Sequence, residues 1–344
     1  MLKCFSLKNL LAVKSYQNKN IVLAFVFLRF LATCLITNTH YNDVYPIKSL
    51  AVGGLLGDVL FFVVSGFVLT RETNEKFLSW YGKRVLRIYP TVFVGVIFYL
   101  ITGYTTIQHI NNIGWFTAFV FPSFFVFAAT IILLYIPFFV INKINDKKLF
   151  LSVFAVVVFA WIIAYFFLFD RKTYQMNNTN HWLIAFPYFI AMMFGSYIRK
   201  FNIKKGNILQ TFLCIFSIVF LVLYFFLTTL VRANNDLLNY QIFVQISLLL
   251  AIFSLVAFVF GLEPWFNRLP KWLLATVNFI ANFTLEIYII QRPIIAWFSH
   301  ILFPLNWIII TLTIFVSAIV LKIFINFVIE VSRFCFRKLI KKLG

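Results

Sequence analysis

The 344-residue sequence contains few charges and very few acidic ones. Asp and Glu total 10, and only 12% of the residues are charged, whereas soluble globular domains carry roughly twice that fraction. Gly/Ser-rich linkers, heptad runs and tandem repeats are also absent. These absences exclude a soluble multidomain protein, a coiled coil and a repeat protein.

Cysteine is scarce, and its spacing carries no motif. Neither CxxC nor CxxxC occurs among the four cysteines, Cys4, Cys34, Cys214 and Cys335. We therefore expect neither a disulfide framework nor a zinc site. The histidines other than His40 are isolated along the chain, and no metal ligand set is predicted.

Apolar residues dominate what is present: 62% of the chain is hydrophobic and 20% is aromatic. Hydrophobic runs long enough to cross a bilayer recur from residue 20 to the C-terminus. The sequence predicts an all-α, polytopic membrane bundle of about ten transmembrane helices. The predicted spans are residues 20–38, 51–70, 90–106, 115–141, 149–169, 182–198, 209–231, 241–261, 273–296 and 301–329.

The 30 basic residues determine the predicted orientation, because Lys and Arg near span ends are retained on the cytosolic side. Cytosolic N- and C-termini place most of them inside. Residues 1–19 then form an uncleaved cytosolic basic arm and residues 330–344 a cytosolic basic tail of a single domain, residues 1–344. Topology explains the net charge of +20 better than nucleic acid, and no nucleic-acid partner is expected.

Arg29 is the clearest charge within a predicted span. His40 follows eleven positions later, at the outer end of that span. Eleven residues make about three helical turns, so both side chains share one face, about 16 Å apart along the axis. A charge in mid-span faces the bundle interior or a water-filled cavity and is a functional candidate. The alternative is a structural Arg29 paired across the bundle and an interfacial His40.

Asp58 lies inside the second predicted span, in GDVLFFVVSGF. A carboxylate commonly fixes the tautomer of a histidine base and stabilises its imidazolium form. Asp58 is therefore a candidate partner of His40, and neutralisation of Arg29 is its alternative role.

Basic residues concentrate in the predicted cytosolic sequence YGKRVLRIYP. Arg84 and Arg87 are three positions apart and are neighbours on a helix surface, with Lys83 beside them. Guanidinium groups bind phosphate oxygens with two hydrogen bonds, so this cluster suits a nucleotide-bearing donor. The alternative is a topology anchor.

Two further charges lie in the ninth predicted span. Arg29 and Arg292 are the possible partners that the sequence offers for Glu286. Glu286 and Arg292 are six positions apart and do not share a helix face, so an interhelical partner is expected for Glu286, with a structural role as the alternative. Arg292 lies near the outer end, where it could contact an anionic glycan lipid. Lys322 is expected to extend its side chain to the interface.

Several stretches resemble the acyltransferase 3 family of membrane acyltransferases, and they occur in family order. Arg29 precedes His40 with ten residues between them, and the SGF triplet contains Ser65 and Gly66. The matching segments are LFFVVSGF (60–67), KRVLRIYP (83–90), TLEIYIIQRPI (284–294) and, more weakly, FPYFIAMMFGSYIRK (186–200).

The resemblance implies a bundle of about ten helices in the bacterial cytoplasmic membrane. It also implies an enzyme that moves an acetyl or other short acyl group from cytosolic acyl-CoA to a hydroxyl, often of an extracytoplasmic glycan such as lipopolysaccharide O-antigen or exopolysaccharide. Acetyl-CoA is then the donor substrate, with no bound cofactor. His40 is implied as the catalytic residue and Arg29 as its support, and Arg84 and Arg87 as donor contacts, with Lys83 beside them. Ser65 and Gly66 of the matching SGF triplet are expected to support the site. Membrane lipid and a lipid-linked glycan are the other expected partners.

Two positions depart from the family pattern. Gln291 stands where the family often has a histidine, and Asp58 stands one position earlier, relative to the FF pair, than the usual acidic residue. The alternative functions are a transporter or flippase of lipid-linked saccharides, for which intramembrane charges are equally natural, and a polymerase of glycan repeat units.

Overall fold

A computed structural model describes residues 22–70, 75–121, 123–177, 182–201 and 207–343 of the chain. The predicted basic arm, residues 1–19, lies outside the described residues. Across these ranges the protein is helical and contains no β-strand, as the composition predicts.

Apolar helices of 15 residues or more are connected by short helices and turns. Within the residues that the structure describes, seven helices are long and apolar enough to cross a membrane, or eight if one bent pair is a single span, and two apolar helices are shorter. Each of the ten predicted spans overlaps one of these segments. In the described chain the α-helices are α1 Leu23–Thr39, α2 Gly54–Leu69, α3 Phe77–Ile101, α4 Ile107–Ile113, α5 Val126–Ile141, α6 Lys147–Leu168, α7 Ala185–Phe201, α8 Asn207–Ala233, α9 Ile242–Gly261, α10 Glu263–Phe266, α11 Lys271–Asn282, α12 Thr284–Phe298 and α13 Leu305–Leu343.

Three predicted spans differ from the helices observed. The third span was expected to begin at residue 90, but α3 begins at Phe77, so YGKRVLRIYP is helical and continuous with the span that follows it. Lys and Arg are good helix formers, and hydropathy alone misses polar helical turns. The fourth span is interrupted: a π-helix, Phe116–Val120, precedes α5. The ninth consists of α11 and α12, which are bent by 69° relative to each other.

The bend between α11 and α12 falls at Phe283, whose φ is −106° and ψ is 10°. The side-chain amide of Asn282 donates a hydrogen bond to the carbonyl of Asn278 at 2.7 Å. The ammonium of Lys322 on α13 donates to the carbonyl of Asn282. Lys322 therefore points into the bundle, and the expectation that it extends to the interface is wrong.

Glycine permits the closest helix contact in the bundle, between α2 and α7. A Cβ added at Gly66 would lie 2.0 Å from the carbonyl oxygen of Met192, and one at Gly195 would lie 1.9 Å from that of Val63. Small residues at such crossings allow two membrane helices to approach closely. This packing explains the glycine of SGF without a role in chemistry, and Ser65 lies half-buried beside it.

Replacing Gly66 with alanine is expected to lower the thermal stability of the protein. The new methyl group meets backbone rather than a flexible side chain, and overpacking of this kind costs about 1–3 kcal/mol. Gly82→Ala is the matched control, because a Cβ there meets nothing within 4 Å and helical Ala is favoured over Gly. Thermal unfolding in detergent measures both, and equal stability of the two variants would contradict the packing argument.

Glu263 binds the N-terminus of α1, although it lies far away in the sequence. The carboxylate of Glu263 accepts hydrogen bonds from the backbone N–H groups of Leu23, at 2.8 Å, and Ala24, at 2.7 Å. These N–H groups lack partners within α1, and the N-terminal end of the helix dipole attracts negative charge. Glu263 therefore fixes the start of the helix that carries Arg29 and ends just before His40.

Candidate active site

A cavity of about 700 Å³ opens at the end of the bundle where α1 finishes. Residues of α1, α2, α5, α7, α8 and α12 line it, together with the connection between α1 and α2. Its polar lining includes a histidine, a carboxylate, tyrosines and three basic side chains: His40, Asp58, Tyr188, Tyr224, Tyr288, Lys48, Arg232 and Arg292.

His40 is placed by the end of α1. It follows Thr39, the last residue of the helix, and its backbone N–H donates to the carbonyl of Thr37 at 3.1 Å. Within the described residues its imidazole makes no hydrogen bond. Burial, and secondarily the positive charge of Arg292, lower the pKa of His40 to about 4. The ring is therefore neutral at pH 7 and has a nitrogen lone pair available to a ligand in the cavity.

Asp58 has a partner that the sequence did not indicate. The hydroxyl of Tyr188 on α7 donates a hydrogen bond to its Oδ2 at 3.1 Å, and the Tyr188 ring stacks on Phe62 at 4.2 Å. The structure brings Asp58 and His40 to one cavity, but among the described residues it shows no hydrogen bond between them and no ion pair of Asp58 with Arg29. Tyr188 belongs to the weakest of the matching segments, and no spacing rule singles it out.

One face of α1 connects the large cavity to mid-bundle. A second, small cavity of about 20 Å³ is lined by Thr33, Ile36, Phe127 and Tyr288, among others, and the last three also line the large cavity. Arg29, Thr33, Ile36 and His40 recur at helical spacing, so this face of α1 points inward as predicted. Ile36, Phe127 and Tyr288 stand between the two cavities.

Below the small cavity lies a cationic cluster, formed by Arg29, Arg87, Glu286 and Lys322. Glu286 is 8% exposed, and its carboxylate lies 3.7 Å from the ammonium of Lys322. The guanidinium of Arg29 interacts electrostatically with Arg87 and Glu286. The ammonium of Lys322 interacts electrostatically with Arg29 and Arg87. The Nε of Arg29 is enclosed and has no hydrogen-bond partner in the described chain. The cluster thus contains three cations and one carboxylate, and only Lys322 forms an ion pair with that carboxylate in the described chain.

The partner of Glu286 is interhelical, as expected, but it is Lys322 rather than Arg29 or Arg292. Gln291, on the same helix, is fully buried, and its amide makes no hydrogen bond in the described structure. It lines neither cavity. Arg292, by contrast, is exposed and faces the large cavity.

The three basic residues predicted to bind a donor differ in their surroundings. Lys83 is exposed and lies 3.0 Å from Glu75. The guanidinium of Arg84 lies 4.1 Å above the Trp80 ring, and its Nη1 donates to the Trp80 carbonyl at 2.8 Å. Arg87 is exposed and belongs to the cationic cluster. Of the three, it is therefore the residue whose charge acts on Arg29, and it lies within α3 rather than at its start.

Comparison with known families identifies the family of the chain. The acyltransferase 3 family model, described as an acyltransferase domain, matches residues 23–330. No curated protein and no solved structure matches the chain significantly. Because the match spans nearly the whole chain, the protein belongs to the acyltransferase 3 family and is a multi-pass membrane acyltransferase.

Proposed function

We propose that the protein transfers an acetyl or other short acyl group from cytosolic acyl-CoA to a hydroxyl of an extracytoplasmic glycan, such as lipopolysaccharide O-antigen or exopolysaccharide. The observation that carries the proposal is the unpartnered, neutral imidazole of His40, which lines a cavity of about 700 Å³. The same helix face leads to the cationic cluster around Arg29.

In this proposal the acyl donor and the acceptor enter the protein from opposite ends of the bundle. Basic residues such as Lys143 and Lys200 lie at the end of the bundle where α3 begins, because Phe77 packs on Phe139 and Lys200 donates to carbonyls just after α5. The positive-inside rule assigns this end, from which Arg87 is reached, to the cytosol of a bacterial inner membrane. The phosphates of acyl-CoA bind Arg87 and Arg29, assisted by Lys83 and Arg84 at the entrance. The pantetheine arm then extends along α1, past Ile36 and Phe127, and the acceptor enters the large cavity from outside.

His40 acts on the acceptor hydroxyl. Its neutral nitrogen removes the hydroxyl proton while the oxygen attacks the thioester carbonyl, and collapse of the tetrahedral intermediate breaks the C–S bond. The departing CoA thiolate takes the proton back from the imidazolium. An alternative route forms an acyl-histidine first, and then the hydroxyl attacks that intermediate. Asp58, oriented by Tyr188, accepts a hydrogen bond from the bound acceptor.

Vesicles that contain the purified protein test the function directly. Radiolabelled acetyl-CoA is supplied on the Arg87 side and glycan on the His40 side, and label is expected in the glycan. Translocation of intact glycan without acylation would instead identify a flippase, and lengthened glycan would identify a polymerase. Mass spectrometry of the product gives the acylated position.

The pH dependence of transfer is expected to follow His40. Since its pKa is lowered to about 4, the reactive neutral form persists as the pH falls well below 6.5, the ordinary value for histidine. With an uncharged acceptor, kcat/KM is expected to fall only as the pH approaches 4. Arg292→Gln is expected to shift this inflection upward while leaving it below 6.5, because burial is the larger cause. An acid limb at 6.5 in the unmodified protein would contradict the assignment.

A further inference from the structure

The large cavity is electropositive, although its candidate acceptor is a hydroxyl. Three cations line it, Lys48, Arg232 and Arg292, against one carboxylate, that of Asp58. Asp58 already accepts a hydrogen bond from Tyr188. The cations therefore exceed what the cavity's own carboxylate can balance, and a neutral sugar does not use that excess.

Of the three cations, Arg292 gives the strongest evidence for an anionic ligand. In the described part of the chain its guanidinium forms neither an ion pair nor a hydrogen bond, and the nearby acid on its own helix, Glu286, is paired with Lys322. Because Arg292 is exposed to the cavity and has no counter-ion in the described chain, its guanidinium is available to an anionic ligand that enters the cavity. Its charge acts on His40, so a group bound to Arg292 lies close to the reacting hydroxyl.

Arg232 faces the same cavity from the end of α8. Its guanidinium lies 5.0 Å from the centre of the Tyr174 ring, which holds the side chain in place, and no carboxylate of the described chain lies within ion-pair distance of it. Lys48 is less informative, because it is highly exposed and lies 3.9 Å from Asp43. Two arginines on different helices thus offer planar forks that suit the oxygens of a carboxylate or a phosphate.

We propose that the acceptor carries an anionic group, carboxylate or phosphate, close to the hydroxyl that is acylated, and that Arg292 and Arg232 bind this group. The inference rests on the proposed function, because it specifies the acceptor of that reaction. The bound anion also offsets the positive charge that opposes imidazolium formation on His40. The anionic group belongs to an acidic sugar residue or to the pyrophosphate of a lipid-linked glycan.

Three defined acceptors test the proposal with the full-length protein in lipid nanodiscs and labelled acetyl-CoA. Methyl β-glucuronide supplies a sugar carboxylate, prenyl-pyrophosphoryl glucose supplies a carrier phosphate, and methyl β-glucoside is the neutral reference. We expect kcat/KM for at least one anionic acceptor to exceed that for methyl β-glucoside by tenfold or more. The identity of the preferred acceptor distinguishes the two sources of charge.

Variants connect the preference to the two arginines. Arg292→Gln and Arg232→Gln are each expected to reduce the anionic-to-neutral ratio of kcat/KM at least fivefold, and Arg292→Lys is expected to retain most of it. Arg171→Gln is the matched control, because Arg171 lies near the Phe166 ring and does not line the cavity. The double variant carries both Arg292→Gln and Arg232→Gln. Equal kcat/KM for neutral and anionic acceptors, or an unchanged anionic-to-neutral ratio of kcat/KM in the double variant, would overturn the proposal.

Equilibrium binding separates this inference from the proposed function. If no acceptor is acylated but methyl β-glucuronide or prenyl-pyrophosphoryl glucose binds at least tenfold more tightly than methyl β-glucoside, and the double variant loses that difference, then the acyl-transfer function fails and the anion site stands. If all three acceptors are acylated and bind equally, the function stands and the anion site fails. Thermal unfolding of each variant shows whether it is folded.

Discussion

Replacing His40 with glutamine is expected to lower the rate of acyl transfer roughly 10²- to 10⁴-fold, which is the usual contribution of a positioned general base. Glutamine retains a polar side chain of similar reach but cannot take up the hydroxyl proton. Since the imidazole makes no hydrogen bond within the described chain, its replacement removes no internal hydrogen bond. Stability is therefore expected to change little while transfer falls.

His300→Gln is the matched control, because His300 is exposed and does not line the cavity. Labelled acyl-CoA without acceptor distinguishes the two routes. A trappable acyl-protein that forms in the unmodified chain but not in His40→Gln supports the covalent route, whereas acceptor-dependent transfer without any adduct supports the general-base route. Transfer by His40→Gln at the original rate would eliminate His40 from the mechanism.

Arg29→Gln is expected to lower kcat/KM for acyl-CoA by roughly 100-fold, because truncating one member of a desolvated charge contact costs several kcal/mol. The same change is expected to leave the melting temperature unchanged or to raise it. Arg29 lies near two other cations, and its Nε has no hydrogen-bond partner in the described chain. Loss of activity together with retained stability is the signature of a charge kept for its ligand rather than for folding.

The dependence of rate on acyl-CoA concentration, measured at saturating acceptor, checks this expectation. Arg268→Gln, an exposed arginine outside the cationic cluster, is the control for loss of a positive charge. If Arg29→Gln melts several degrees lower and keeps its kcat/KM for acyl-CoA, then Arg29 is a structural residue and the donor site lies elsewhere.

The sequence predicted the inward face of α1 because that prediction needs only the helical period. Arg29 and His40 are eleven residues apart on one regular helix, and the intervening Thr33 and Ile36 line the cavities. The contacts between helices could not be predicted in the same way. The partner of Asp58 is Tyr188, 130 positions away, and no local pattern encodes such a pair.

Lys322 shows why hydropathy alone misleads about side-chain direction. Its position near the end of a predicted span suggested an interfacial lysine, but the bend at Phe283 brings the Asn282 carbonyl and the Glu286 carboxylate to its ammonium. For Gly66, the sequence suggested a role at the site where the structure shows a packing contact. The resemblance suggested that it supports the site, whereas the close approach of Met192 gives it a packing role.

The carboxylate of Glu263 has a consequence for biogenesis. It binds the first turn of α1 across 240 residues of sequence. The ribosome therefore releases α1 long before it synthesises Glu263, the residue that caps the N-terminus of α1. During insertion that turn depends on water or lipid head groups for its unpaired amides. The helix that carries both Arg29 and His40 is thus completed late, and a chain truncated before Glu263 lacks this anchor.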